Sequence, residues 1–285
     1  MGCNHDCSSC GENCSSRTNP QDLVLAQNDK SNIKKIIGVV SGKGGVGKSL
    51  VSSLLACALR RSGDTVGILD ADITGPSIPH SFGIKDKAVG DGKYIYPAVS
   101  DISGINIISS NMLLENDDDP ILWRGSLISN LVSQFYKDVR WDELEVLVID
   151  MPPGTGDVAL TTFQSIPLDG IIVVTTPQDL VSMIVTKALK MAELMNVPVL
   201  GIVENMAYVK CPNCEENIYI YGKGKNDSLY ESLGVKKLVE LPIDPKLTQL
   251  VDKGLIEDYE TNLLDGIVDI IHSLELKEKK RWITH

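Results

Sequence analysis

Residues 42–49 read Gly42-Lys43-Gly44-Gly45-Val46-Gly47-Lys48-Ser49. This fits G-x-x-x-x-G-K-[ST], a loop whose backbone N–H groups cradle nucleotide phosphates. Its glycines let the main chain approach the phosphates. Lys48 would reach the β- and γ-phosphates, and the Ser49 hydroxyl would bind Mg2+. A second lysine, Lys43, directly follows the first glycine and sets the stretch apart from a bare phosphate loop. Downstream, Asp70 and Asp72 close the apolar run 65–69, and Asp150 closes the run 144–149. Ligands of open α/β sheets bind outside the carboxyl ends of strands. An aspartate in that place helps hold Mg2+, as a Walker-B residue does. Met151-Pro152-Pro153-Gly154-Thr155-Gly156-Asp157 follows, a loop suited to two settings beside a γ-phosphate. Aspartates at strand ends also cap helices, and Asp157 has that ordinary reading too.

The seven cysteines are unevenly spread. Cys3, Cys7, Cys10 and Cys14 crowd the start, Cys211-Pro212-Asn213-Cys214 forms a pair, and Cys57 lies alone in an apolar stretch as a small buried hydrophobe. The polar start does not read as a secretory signal. With a nucleotide motif of the cell interior, reduced metal-binding thiols are expected over disulfides. Four thiolates are the usual complement of an iron–sulfur cluster or a structural zinc. The first four cysteines can wrap one such centre, with His5 either an alternative ligand or simply solvated. Cys211 and Cys214 supply only two thiolates, and a symmetric dimer axis can supply two more. The alternatives are a redox pair, which expects a thioredoxin-like context that is missing, and a zinc ribbon completed elsewhere.

The elements that must position these residues follow from periodicity. The β-branched run 36–40 predicts a buried parallel strand, and 50–61, ended by Gly63, predicts a helix. Strand, glycine loop and helix are the context a phosphate loop requires, and the helix start adds its positive dipole end. Further strands are expected at 65–69, 105–109, 144–149, 171–175, 197–203 and 238–241, and helices at 122–136, 180–195 and 261–276. This alternation predicts an α/β fold, a mostly parallel sheet with helices on both faces. Residues 1–32 read as a flexible Cys-rich arm that orders around a ligand, and 33–285 as the nucleotide-binding domain.

The 285 residues are 43% hydrophobic and 23% charged, ordinary for a globular chain. A net charge of −11 argues against a nucleic-acid-coating surface. No apolar run is long enough for a membrane span. The acidic run 115–120 reads as a turn before a helix. The basic segment 277–282 reads as a solvated helix end, with a membrane or partner contact as the alternative.

These words together resemble the MinD/Mrp group of P-loop ATPases, and most closely the Mrp/ApbC-type iron–sulfur cluster carriers. The resemblance rests on the loop 42–49 with Lys43, Asp70-Ala71-Asp72-Ile73-Thr74-Gly75-Pro76-Ser77, Trp123-Arg124-Gly125, the stretch 149–157, Val203-Glu204-Asn205-Met206, Cys211-x-x-Cys214 and Leu241-Pro242-Ile243-Asp244-Pro245. It spans about residues 36–254. It implies an ATP site formed by Gly42, Lys43, Gly44, Gly45, Val46, Gly47, Lys48, Ser49 and Leu50. Lys43 would contact phosphate across a dimer interface, and Asp72 would orient the attacking water. Ser49 and Asp150 would hold Mg2+, and Asp157 would lie in the second switch. Asn205 would read the adenine, with the Pro242 loop nearby. Cys211 and Cys214 of two subunits would hold one bridging 4Fe-4S cluster. The arm departs from the pattern: many bacterial carriers lack it, and eukaryotic cytosolic relatives space their four cysteines differently.

The resulting expectation is a cytoplasmic, homodimeric ATPase with slow intrinsic turnover that carries a cluster to apo iron–sulfur proteins. The alternatives are a MinD-like positioning ATPase that binds membrane through the last helix, and a reductase like the nitrogenase iron protein. Asp265 and Asp269 weaken a basic membrane face, and the nitrogenase protein's cysteines are spaced differently.

Overall fold

Strand β7 (Asp142–Asp150) shows how the sheet is covered. Leu147 and Ile149 enter one apolar core, while Val146 and Val148 enter the other. Side chains alternate across a strand, so a strand buried on both faces must be apolar throughout. The computed structural model describes residues 24–73, 75–113, 125–154, 156–178, 181–277 and 279. Cys3, His5, Cys7, Cys10, Cys14, Thr74, the run 115–120, Trp123, Arg124, Thr155 and residues 280–282 lie outside the described residues.

In chain order the elements begin with β1 (Ser31–Ser41), α1 (Lys48–Arg61), β2 (Val66–Asp70), α2 (Ile78–Ser81), β3 (Val89–Gly90), β4 (Ile95–Tyr96), β5 (Ala98–Val99), β6 (Asn106–Ile108) and α3 (Gly125–Lys137). After β7 come α4 (Asp157–Ser165), β8 (Gly170–Thr175), α5 (Val181–Leu194), β9 (Val199–Lys210), β10 (Asn217–Ile218), α6 (Asp227–Ser232), β11 (Lys237–Ile243), α7 (Pro245–Asp252) and α8 (Asp265–Ser273). The main sheet runs β10-β9-β8-β1-β7-β2-β6-β5, with β11 also paired to β9. The pairs of β1, β2, β7 and β8 are parallel, and among the described residues only β5 and β10 join it antiparallel. Helices α1, α7 and α8 cover one face, and α3, α4 and α5 the other.

The expected α/β architecture holds, with informative shifts at the edges. β1 starts at Ser31 because residues 31–35 alternate between buried and more open positions, a half-buried entry to a buried strand. The arm's last residues already pack on the domain. Leu25 N–H bonds to Ser165 O at 2.8 Å, and Asn28 Nδ2 donates to Lys137 O and Val139 O at 2.8 and 2.7 Å. β9 runs seven residues past its expected end, to Lys210. The final helix is shorter than expected, and the tail beyond it is not a simple solvated end: Lys279 Nζ ion-pairs with buried Asp169 at 2.7 Å. The two-residue strands and the short helices α2 and α6 carry too little periodicity to be read from sequence.

Candidate nucleotide and metal sites

Topology gathers the acidic and basic residues. β1, β7 and β2 are adjacent and parallel, so their carboxyl ends share one edge of the sheet. Val39 of β1 pairs with Asp150, and Asp150 pairs with Asp70 of β2. The glycine loop leaves β1 at that edge and enters α1 at Lys48. Gly45 and Gly47 sit at φ 80° and 79°, a left-handed setting that side chains other than glycine rarely adopt. Gly47 has a second constraint: a Cβ there would stand 2.2 Å from Asn205 Nδ2. Gly44 and Gly45 face open space, whereas Val46 is buried in the core and pins the loop. Gly42 precedes Lys43 in the loop, Ser41 Oγ bonds to Lys43 O at 3.0 Å, and Leu50 packs against the α1 core.

Charge is dense here. The buried Lys48 Nζ lies 2.7 Å from Asp150 Oδ1 and 4.0 Å from Asp72 Oδ2. The Asp150 contact is at charge-assisted hydrogen-bond distance, and an ammonium carries three donors, so others remain for an anionic oxygen. Asp150 accepts from Ser49 Oγ at 2.6 Å and from Ser52 Oγ at 2.7 Å. Asp70 is fully buried and accepts from Ser109 Oγ at 3.0 Å and Asp72 N–H at 3.1 Å. Burial first, and the neighbouring Asp150 second, push the Asp70 carboxyl up to about 7, against the pull of Lys48. A hydroxyl and crowded carboxylates form a hard-oxygen donor set that suits Mg2+, and the amides at the start of α1 suit phosphate.

Lys43 turns away from this cluster. Its Nζ donates to Gln178 Oε1 at 2.5 Å, just past the end of β8. Asn205 is buried and donates to Val46 O at 2.9 Å, so its amide supports the phosphate loop from beneath. Pro242 is in strand β11 opposite Tyr208, not in a loop. Asp157 opens α4; its side chain lies outside the described residues.

The cysteine pair occupies a hairpin that extends β9. Cys211 N–H bonds to Glu216 O and Glu215 N–H to Cys211 O, both at 2.9 Å, and Glu215 takes φ 61° to close the turn. The Cys214 backbone N–H, then the Asn213 N–H, hold the Cys211 thiol below its usual range. The thiolate is the metal-binding form of cysteine, and this shift favours it. Cys211 is half-buried and Cys214 exposed, whereas Cys57 is buried and its thiol pushed up to about 12. Among the described residues no three His, Cys, Asp or Glu side chains come together to hold a metal.

Residues not foreseen are Ser52, Ser109, Gln178 and Glu204. Ser52 lies three residues after Ser49, and that helical spacing to a metal-binding hydroxyl was a usable signal. Glu204, buried, accepts from Asn226 Nδ2 at 2.9 Å and Tyr230 OH at 2.8 Å, fastening the far end of the cysteine segment to β9. Gln178 has no sequence signature of its own.

A sequence model of the ParA family, described as NUBPL iron-transfer P-loop NTPase, matches residues 32–274. The chain belongs to this family. An iron-sulfur cluster carrier protein of Clostridium perfringens is 47% identical over 235 residues, covering 80% of this chain and 82% of its own length. A nucleotide-binding protein of Archaeoglobus fulgidus, solved in complex with ADP, is 42% identical with a TM-score of 0.73, covering 87% of this chain and 94% of that one. The cell division ATPase MinD of Pyrococcus furiosus shares the fold at a TM-score of 0.58 and 19% identity, covering 84% of this chain and 97% of its own. This P-loop NTPase therefore has the fold of the MinD and ParA proteins and the family of the iron-transfer proteins.

Proposed function

We propose that this protein is an ATP-hydrolysing carrier of a 4Fe-4S cluster, its cargo, which two copies of the chain hold between their Cys211 and Cys214 pairs. The observation that carries the reading is the hairpin 211–216. It presents one exposed and one half-buried thiol, the latter lowered by backbone N–H groups, with no third ligand among the described residues. Two copies complete a four-thiolate set, the usual cluster complement. The curated relative named above and the family description point the same way.

In the ATP cycle, the loop amides and Lys48 hold the β- and γ-phosphates, and Asp72 orients the attacking water. Water adds to the γ-phosphorus as the bridging bond to ADP breaks. Mg2+, bound by Ser49 and Asp150, would neutralise charge on the phosphoryl oxygens. Lys43 of one copy reaches the phosphates of the other, and Asn205 and Pro242 border the adenine. Turnover is slow because phosphoryl transfer here depends on positioning, which is complete only in the closed dimer. Recipients are apo iron–sulfur proteins, and the reduced thiols suit a cytoplasmic setting. Cys3, Cys7, Cys10 and Cys14 form a second metal or cluster site.

The test replaces Cys211 or Cys214 by serine and reconstitutes the full chain anaerobically. Loss of the bridging cluster's visible absorbance is expected, with ATP affinity within about threefold of the parent, since neither cysteine belongs to the glycine loop. A variant that keeps a full cluster load as a dimer would sink the assignment.

A further inference from the structure

The signature lysine is already engaged within its own subunit. Lys43 Nζ donates to Gln178 Oε1 at 2.5 Å, and the other end of that amide, Nε2, donates to Tyr221 OH at 3.4 Å. The orientation is dictated by chemistry: only the carbonyl oxygen can receive an ammonium, so the amide nitrogen must face the tyrosine. The fold explains the meeting. β1 and β8 pair up to Ser41 and Val174, so the residues just past both strands are neighbours. A turn in which Gln178 N–H bonds to Thr176 O at 2.7 Å fixes the glutamine backbone. Tyr221 belongs to the segment that carries the cysteines. That segment leaves β9 at Cys211 and is tied back to it where Asn226 bonds Glu204. Tyr221, 39% exposed, lies between those anchors.

We propose that Gln178 is a positioning residue for Lys43, and that its bond to Tyr221 passes the lysine's setting to the cysteine-bearing segment. The proposal rests on the cluster-carrier reading and gives it a coupling device. A neutral amide holds an ammonium by one charge-assisted bond, and phosphate oxygens, being charged, hold it more strongly. When Lys43 leaves for a phosphate, the Gln178 amide loses the cation that fixed its orientation, and Tyr221 loses a fixed donor. The two settings of one amide form a discrete two-state element. Linkage makes the effect reciprocal: whatever moves Tyr221 also changes how readily Lys43 is released.

Three variants of the full chain separate the parts. Gln178→Glu pairs Lys43 with a full charge and should lower kcat about tenfold with KM little changed, the scale of one added charge-assisted bond. Gln178→Ala and Tyr221→Phe remove the link. After anaerobic loading with iron and sulfide, the cluster's bleaching by a ferrous chelator is timed with and without Mg-ATP. In the parent, Mg-ATP should change the rate; in both variants most of that change should vanish while ATP still binds. Wild-type kcat in Gln178→Glu overturns the positioning role. A parent without an ATP response, or a full response retained in Gln178→Ala or Tyr221→Phe, overturns the link to the cysteines. A parent that loads no cluster sinks the carrier reading instead, and the kcat result still decides the role of Gln178.

Discussion

Asp70 is a carboxyl whose environment departs far from that of its free form. It is buried beside Asp150, and its neighbours leave its carboxyl near pH 7. A carboxyl whose folded pKa is raised binds its proton more tightly in the native state. Its stabilising contribution is therefore full below the ordinary value of 3.8 and is lost as pH rises toward about 7. Protein free of nucleotide and metal should thus lose stability between about pH 4 and 7, and Asp70→Asn should flatten that slope. Urea midpoints across the range are the measurement; parallel curves for the two proteins would contradict it. The site was legible in sequence as far as residue type and strand end allowed: Lys48, Ser49, Asp72 and Asp150 all come to one edge. That Asp70 carries the perturbed carboxyl, while Asp72 stands off at 4.0 Å from Lys48, depends on burial depth, which no spacing encodes.

Among the elements, α8 bears on the membrane-binding alternative. Its apolar residues Ile267, Val268 and Ile271 are buried against the α1 face of the sheet, and Lys35 Nζ caps its end through Ile271 O and His272 O at 2.7 and 2.8 Å. A helix whose apolar face is covered has none to offer a bilayer. Ile271→Ala should cost about 2–5 kcal/mol of stability, the range for such a truncation in a packed core. ATP should not drive the parent protein onto anionic liposomes; sedimentation with vesicles, beside chemical denaturation of the variant, checks both. Among the described residues no helix is long and apolar enough to cross a membrane. β9 makes a second point at this scale. Between Glu204 and Tyr208, four steps of β9 face two of β11, and Met206 takes φ 57° within that bulge. The irregularity takes in Asn205, which supports the phosphate loop, and precedes Cys211, which follows the same strand. The bulge lies past the strand end expected at 203, and residues 204–208 carry no mark of it, because a bulge is set by what lies alongside.

At the scale of the whole molecule, the nucleotide and cysteine sites both lie beyond the carboxyl ends of parallel strands, β1, β7 and β2 for one and β9 for the other. The remaining open site is the four-cysteine arm. Residues 24–30 dock on the domain, so a chain beginning at Val24 keeps that anchor while losing Cys3, Cys7, Cys10 and Cys14. Anaerobically reconstituted full chain should hold more iron and sulfide per polypeptide than the shortened one; equal contents would remove the arm site. Composition and motif order were enough to read the α/β class, the phosphate loop and the paired cysteines, because each is a local pattern of residue types with a chemical meaning. Tertiary structure alone decided that Lys43 rests on Gln178, that Asn205 props Val46, and that Glu204 fastens the cysteine segment. Those contacts join residues distant in the chain, and their partners are chosen by strand order and register, which one strand's sequence cannot express.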